Sequence, residues 1–152
     1  FYGDVYLPRK FKVGVTLPED NSIDVFTQDI GLIGVVREGA VRGYNVVVGG
    51  GLGMTHGKAD TFARLATPLG YVDAAYALDA VRVVAAVFRD HGDRADRRHA
   101  RLKYLVEKWG MDAFRAEFQR SAEFELQPSI DLGPLAYKDY SGVHPQGDLS
   151  QR

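Results

Sequence analysis

Cysteine is absent from this chain of 152 residues, and its absence restricts the chemistry that the chain can perform. Disulfide bonds and thiolate-bound metals are excluded for the chain as it stands, because both require a cysteine sulfur. Histidines are the next potential metal ligands, but their positions show no metal-ligand spacing. They stand at His56, His91, His99 and His144. The sequence therefore predicts no metal site held by this chain alone.

Long apolar runs and a strong charge imbalance are also missing. No apolar segment approaches the ~20 residues of a membrane-spanning helix, and no signal-peptide pattern opens the chain. The 19 lysines and arginines nearly balance the 20 aspartates and glutamates, so no overall field attracts nucleic acid or a membrane. With 45% hydrophobic residues, we expect one globular cytoplasmic domain. The chain begins with Phe1 almost inside a predicted strand, so we expect it to be part of a longer polypeptide.

Hydrophobic periodicity predicts strands first and helices later. Alternation predicts strands at 10–17, Asp29–Arg37 and Val41–Val48, the last two joined by a short hairpin turn. The period then changes to 3.6 and predicts helices at Ala59–Ala66, Asp73–Asp90, Arg97–Trp109 and Asp112–Ala122, with Asp73 as an N-cap and Gly110 after a helix end. The stretch "FELQP" is a candidate short strand. This order predicts an α+β fold, an antiparallel or mixed sheet covered by helices.

The opening strand carries two lysines where core residues are expected. In "YLPRKFKVGVTLP", Tyr6–Pro18, alternation places Phe11, Val13, Val15 and Leu17 on one face and Lys10, Lys12, Gly14 and Thr16 on the other. Taken alone, two lysines on one strand face indicate a solvated or protected sheet edge. The alternative is a site that binds an anion.

A glycine-rich loop follows the third predicted strand. "GGGLGMTHGK", Gly49–Lys58, has five glycines in ten residues. Such a loop lets the backbone approach a ligand and directs N–H groups at an anion. However, neither the dinucleotide-binding nor the phosphate-loop pattern fits its glycine spacing. A flexible connection between elements is the other interpretation.

A basic segment, "RDHGDRADRRHARLKY", covers Arg89–Tyr104 and holds six basic residues against three aspartates. On a helix its arginines share one face, and arginine suits bidentate recognition of carboxylate or phosphate. A solvated, ion-paired helix face is the alternative. Together the lysines, the loop and this segment are compatible with a stand-alone module that binds anions or nucleic acid, although the balanced net charge disfavours it.

"LPRKFK", "GYNVVVGGGLGMTHG" and "RDHGDRADRRHARLKY", in this order within residues 6–122, resemble the sulfite/nitrite reductase haemoprotein family. The resemblance implies an oxidoreductase with sirohaem and a coupled [4Fe–4S] cluster. It implies that residues 1–128 are the first half of the domain that binds both groups, and that 129–152, with "GVHPQGDLS", link to the following half. The cluster ligands of the family are cysteines, so they must lie outside this chain. We therefore expect the isolated chain to be inactive.

The resemblance also assigns residues. Lys10 and Lys12 match the two active-site lysines that face the open side of the haem iron, where the anion binds, with Arg9 in a supporting role. The family's basic residues near the sirohaem carboxylates correspond to Arg97, Arg101 and Lys103. The family's loop beside the macrocycle corresponds to Asn45, Gly49, Gly50 and Gly51.

The pattern Lys10-Phe11-Lys12 favours the sulfite branch of the family, since the nitrite branch tends to have Asn in place of the second lysine. The resemblance thus implies reduction of sulfite to sulfide in sulfur assimilation. Its partners would be the other domains of the same polypeptide and a ferredoxin or flavoprotein electron donor. Reduction of nitrite to ammonia stays open, because the tail "GVHPQ" leans toward that branch.

Overall fold

A computed structural model describes residues 4–138 of the chain. Their strands form one sheet in the order β1-β2-β3-β4, and two helices follow. The elements are β1 Val13–Thr16, β2 Ile30–Arg37, β3 Ala40–Val48, β4 Thr67–Asp73, α1 Ala77–His91 and α2 Leu102–Ser121. β1 runs parallel to β2, and the other neighbours are antiparallel. The sheet is therefore mixed, and the predicted α+β class is confirmed.

The sheet separates two apolar cores. On one face, side chains of β2, β3 and β4 pack against both helices, and the buried members include Ile30, Leu32, Val46, Val48, Val84, Phe88, Leu105 and Phe114. On the other face, a smaller core joins a single 3₁₀ turn, Val25–Thr27, to the sheet. Leu132 and Leu135 pack against this smaller core from the end of the described chain.

The predicted hairpin between β2 and β3 is confirmed. Arg37 pairs with Ala40, so the turn residues are Glu38 and Gly39, both with left-handed φ values of 54° and 73°. Two successive left-handed residues make the type of two-residue turn whose twist matches that of the sheet. Glycine supplies this conformation freely, while Glu38 adopts it beside an ion pair with Arg42.

β1 has the predicted alternation, but its burial is inverted. Gly14 and Thr16 are buried, whereas Val13 and Val15 are 47% and 57% exposed. The helical layer ends beside Phe11, which stacks on Phe88 of α1, so it does not cover the valines further along the strand. On the opposite face the chain at 23–28 packs closely over the strand. Hydrophobicity alone therefore does not identify the buried face of β1.

The predicted helix at Ala59–Ala66 is wrong, and the strand β4 was missed. Leu65 is 61% exposed, and Arg64 pairs through its backbone with Gly51, by N–O distances of 2.8 and 3.0 Å. Residues from Thr67 onward then add to β3 as its antiparallel neighbour. Pairing with a strand about twenty residues earlier decides this conformation, and periodicity within the segment does not report it.

α1 begins later than predicted. Asp73 ends β4 and makes no side-chain capping bond, and a 3₁₀ turn, Ala74–Tyr76, precedes the first helical residue. The carboxylate of Asp73 instead accepts a hydrogen bond from the hydroxyl of Tyr71 at 3.1 Å. The buried stripe of α1 consists of Ala80, Val84, Ala85, Val87 and Phe88.

The basic segment is mostly not helical, since α2 begins only at Leu102. Asp93 and Asp96 explain the difference, because each carboxylate accepts main-chain N–H bonds from the residues just after it, at 2.7 to 3.0 Å. Such local bonds favour turns over a helix. α2 is broken at Gly110, with φ 74° and ψ 164°, where the sequence predicted a helix end. Its two parts correspond to the last two predicted helices.

The end of the described chain is tied to the sheet. "FELQP" forms no strand, only a bridge between Gln127 and Tyr71. The main chain of Ala136 is hydrogen-bonded to Pro18 and Asn21, at 2.8 and 2.7 Å. The division at residue 128 stays a prediction, and "GVHPQGDLS" lies outside the described residues. No helix in residues 4–138 is long and apolar enough to cross a membrane.

Candidate anion-binding groove

The lysine strand, the glycine loop and the basic segment meet at one groove of about 380 Å³. We call it the basic groove. It is lined by Arg9, Lys10, Gly53, Met54, Thr55, Arg97, Arg98, Arg101, Lys103 and Tyr104. Six of these ten residues are basic, and none is acidic. The three sequence features that were considered separately therefore form one basic site.

The cations of the groove differ in how far they are neutralised. Arg98 is paired with Asp96 at 2.9 Å, and Arg101 with the buried Asp29 at 2.9 Å. Within residues 4–138, the side chains of Lys10 and Arg97 have neither a hydrogen bond nor an ion pair, and both are exposed. Unpaired cations facing one cavity attract an anion, because an anion that binds there need not displace an internal partner.

Lys12 lies next to the groove without lining it. Its side chain is exposed and has no partner in the described chain, while its peptide is fixed on both sides. The N–H of Lys12 donates to Asp29 Oδ2 at 3.0 Å, and its carbonyl accepts from the N–H of Ile30 at 3.1 Å. Phe11 between the lysines is anchored against Phe88. The structure thus presents Lys10 and Lys12 with free ammonium groups and fixes the backbone of Lys12.

The three consecutive glycines do not offer their amides to a ligand. The N–H groups of Gly49, Gly50 and Gly51 donate to the carbonyls of Asp29, Gln28 and Arg64, at 2.8, 3.0 and 2.8 Å. All three glycines are buried. The loop reaches the basic groove only beyond them, at Gly53, Met54 and Thr55, which are exposed.

Close packing explains why Gly50 and Gly51 lack side chains. A Cβ atom at Gly50 would overlap the carbonyl oxygens of Phe26 and Gln28, and one at Gly51 would lie 3.0 Å from the guanidinium of Arg101. The glycines thus allow the chain to pass directly beneath Arg101. They shape the groove from below, and their own atoms are covered.

Lys103 is buried and holds the glycine loop together. Its side chain is 1% exposed, and its ammonium group donates to the carbonyls of Gly51 at 3.1 Å, Gly53 at 2.7 Å and Phe62. Burial, and then the charge of Arg101, lower the pKa of Lys103. With all three protons donated to carbonyls, Lys103 has no proton left for a ligand.

Asn45 is not at the basic groove. Its side-chain amide donates to the carbonyl of Ile130 at 2.7 Å and accepts from the N–H of the same residue at 2.9 Å. Asn45 is 7% exposed, so this pair of bonds fixes the end of the described chain to β3. The contact of Asn45 with a cofactor stays a prediction, and the two bonds to Ile130 do not favour it.

His99 links the basic segment to the far end of the glycine loop. Its Nδ1 lies 3.0 Å from Asp96 Oδ2, and its Nε2 lies 3.1 Å from the carbonyl oxygen of Asp60. The Asp60 carbonyl raises the pKa of His99, and the Asp96 carboxylate adds to the effect against partial desolvation. His99 thus joins the basic segment to the chain just after the glycine loop.

Asp29 is the functional candidate that sequence analysis missed. It is completely buried, and it contacts Lys12, Gly49 and Arg101, one residue from each of the three sequence features. A lone acidic residue at the first position of a predicted apolar strand was the available signal. Acidic residues at strand ends are common, so only the structure distinguishes this one.

A second cavity of the described chain, about 580 Å³, has a different character. Its wall carries three acidic side chains, Asp60, Asp93 and Glu107, together with Lys108 and two histidines, so its charge is mixed where that of the basic groove has one sign. Within residues 4–138, no three His, Asp or Glu side chains are placed to hold a metal ion.

Residues 1–126 match the family model described as the nitrite and sulphite reductase 4Fe-4S domain. The chain is 53% identical over 148 residues, 97% of its length, to a Synechococcus elongatus protein named sulfite reductase (ferredoxin). It is 47% identical over 129 residues, 85% of its length, to the sulfite reductase (NADPH) hemoprotein beta-component of Nitrobacter hamburgensis. It covers 24% and 22% of these relatives, respectively.

A solved structure agrees with the fold. The Mycobacterium tuberculosis NirA protein superposes with a TM-score of 0.73 at 29% identity, over 91% of this chain and 24% of that chain. The chain thus spans about a quarter of the length of the proteins that it matches. Its fold and most of its sequence agree with one family model, and the chain belongs to the nitrite and sulphite reductase 4Fe-4S domain family.

Proposed function

We propose that this chain is a segment of a sulfite reductase that reduces sulfite to sulfide, and that Lys10 and Lys12 bind the substrate anion. The observation that carries the proposal is the basic groove, where Lys10 and Arg97 face one cavity without an internal counter-charge. Relatives named sulfite reductases at 53% and 47% identity support the substrate.

The basic groove fits the carboxylate edge of a sirohaem. Arg97 offers a free guanidinium, and Arg9, whose guanidinium donates to the main-chain carbonyl of Arg97, adds positive charge beside it. A groove of about 380 Å³ receives only part of a tetrapyrrole, so the remaining contacts come from the rest of the enzyme. The chain has no cysteine and cannot ligate a [4Fe–4S] cluster by thiolates, so those ligands also lie elsewhere. When bound, the sirohaem and its cluster supply the electrons.

The lysines supply charge and protons. Sulfite is a small anion, and each oxygen that leaves as water takes up two protons. Ammonium groups donate hydrogen bonds to those oxygens and can pass a proton to each as it departs. Because the Lys12 peptide is held on both sides, the point from which its side chain extends is fixed before the reaction begins.

The nitrite alternative receives less support than sulfite. The second lysine of the pattern Lys10-Phe11-Lys12 is present, and the two relatives described above carry the name of sulfite reductases. Those names include ferredoxin for one relative and NADPH for the other, so we propose a ferredoxin or a flavoprotein as the electron donor. We also propose the cytoplasm as the location. A nucleic-acid module finds no support in the family.

Substitution of Lys12 tests the proposal. In the full-length enzyme, we expect Lys12→Asn to lower sulfite turnover at least tenfold while most sirohaem is retained, since Lys12 faces substrate and does not line the groove. Lys108→Asn is the matched control, because Lys108 is exposed on α2 away from the basic groove. Equal loss of turnover and sirohaem in Lys12→Asn would instead give Lys12 a role in holding the cofactor or the fold.

A further inference from the structure

Asp29 is a buried carboxylate whose two oxygens are fully used. Its side chain is 0% exposed. Oδ1 accepts from Nε and Nη2 of Arg101, at 3.1 and 2.9 Å, and Oδ2 accepts from the same Nη2 at 2.9 Å. The fourth bond comes from the main-chain N–H of Lys12, at 3.0 Å. One carboxylate therefore binds a wall residue of the basic groove and the backbone of a substrate lysine.

The main chain around Asp29 adds two further connections. The carbonyl of Asp29 accepts from the N–H of Gly49 at 2.8 Å, which fixes the start of the glycine loop. The N–H of the next residue, Ile30, donates to the carbonyl of Lys12. Lys12 is thus held on both sides just before the first register pair of β1 and β2, Val13 with Ile30.

Stability alone does not account for this arrangement. A buried ion pair contributes little net stability, because desolvation of the two charges offsets their attraction. What the pair gives instead is defined geometry, since a carboxylate that accepts two parallel N–H bonds fixes the guanidinium plane. The N–H of Lys12 donates to the same carboxylate of Asp29. The Lys12 peptide and the Arg101 side chain are therefore oriented relative to each other.

We propose that Asp29 is the positioning residue of the substrate site. It holds the Lys12 backbone so that the ammonium group is directed at the anion, and it orients Arg101 at the groove wall. Asp29 itself touches neither substrate nor cofactor, because it is completely buried. This role rests on the proposed function of Lys12.

Asp29→Asn in the full-length reductase, loaded with haem and cluster, tests the role. An asparagine has one acceptor oxygen, so in either orientation its NH₂ group faces the N–H of Lys12 or the guanidinium of Arg101. We expect kcat for sulfite, per bound sirohaem, to fall on the order of tenfold or more, as for other residues that position reacting groups. We also expect faster amide hydrogen exchange in the peptide that contains Lys12.

Asn21→Ala is the matched control for a purely structural effect. Asn21 is also completely buried and makes two hydrogen bonds, to Val25 and Tyr137 at 2.8 Å each, but it contacts neither lysine. We expect Asn21→Ala to lower stability without changing turnover per bound sirohaem or exchange at Lys12. Unchanged turnover per sirohaem in a loaded Asp29→Asn enzyme would overturn the proposal.

Asp29→Glu covers the case in which Asp29→Asn does not fold. Glutamate keeps the charge beside Arg101, but its longer side chain moves the carboxylate away from the Lys12 N–H. We again expect kcat for sulfite, per bound sirohaem, to fall about tenfold. Normal turnover in Asp29→Glu would overturn the positioning role of Asp29. If neither variant folds while Asn21→Ala does, Asp29 serves the fold and the role is also overturned. Lys12→Asn separates the two hypotheses: normal sulfite turnover there refutes the proposed function, whereas an impaired Lys12→Asn with a normal Asp29→Asn refutes only the positioning role.

Discussion

The ammonium group of Lys103 donates to the carbonyl of Gly53 at 2.7 Å, across fifty residues of sequence. Its other two bonds reach the carbonyls of Gly51 and Phe62. One buried charge at the start of α2 therefore fixes the floor of the basic groove and the chain that returns from it.

We predict that Lys103→Met destabilises the chain by about 3 kcal/mol, because the variant leaves buried carbonyls without a donor. Urea unfolding followed by circular dichroism measures the change. Lys108→Met is the matched control, since Lys108 is exposed on the same helix, and we expect its effect to stay within about 0.5 kcal/mol. Equal effects of the two substitutions would show that the three carbonyl bonds do not stabilise the fold.

The sequence predicted most of the sheet and both long helices, because these elements depend on local periodicity. β2, β3, the hairpin between them and the helix break at Gly110 are where alternation and glycine placed them. β4 was missed because its conformation comes from pairing with β3. The alternation of β1 does not show which of its faces is buried, because the extent of a covering layer is not encoded in the strand that it covers.

The sequence singled out the basic residues of the candidate site but not the contacts that join them. Spacing indicated a shared helical face for Arg97 and Arg101, and the two do meet at one groove, but as members of a turn-rich segment. Lys103 lines the same groove, but its buried ammonium group donates to main-chain carbonyls, and its contact with the cofactor stays a prediction. Asp29 was not considered, because a buried acid is recognised by its partners, which are 17 and 72 residues away.

Two alanine substitutions in the glycine loop test the close packing of its buried part. We predict that Gly50→Ala destabilises the chain by about 3 kcal/mol, because its Cβ would overlap two main-chain carbonyl oxygens that cannot move independently. Gly53→Ala is the control, since no atom lies within 4 Å of a Cβ at that position. Urea midpoints of the two variants compare them directly. A Gly50→Ala variant as stable as Gly53→Ala would contradict the close approach at Phe26 and Gln28.

We predict that the stability of the chain depends on pH through His99. Hydrogen bonds to Asp60 and Asp96 raise its pKa above the ordinary value of 6.5 in the folded chain. A raised pKa means that the folded state binds the proton more tightly, so the stabilisation is complete below about pH 6.5 and is lost as the pH rises through the folded pKa. We expect urea stability to decline over that range, and His99→Gln to flatten the decline.

His56→Gln is the control for this titration, because the ring of His56 is exposed and has no partner within residues 4–138. It should leave the pH dependence unchanged. NMR titration of the His99 ring protons gives the folded pKa independently. A value at or below 6.5 would contradict the bridge to Asp60 and Asp96.

Substitution of Arg97 tests whether the basic groove helps to retain the sirohaem. Its guanidinium lines the basic groove without an internal partner, so in the full-length enzyme we expect Arg97→Glu to place a negative charge against the sirohaem carboxylates. The sirohaem content after purification, measured by absorption per protein, should fall severalfold. Arg82→Glu is the matched control, since Arg82 is an exposed arginine on α1, paired with Asp79 at 3.1 Å and outside the groove. A normal sirohaem content in Arg97→Glu, with sulfite binding weakened instead, would move Arg97 from the cofactor side of the groove to the substrate side.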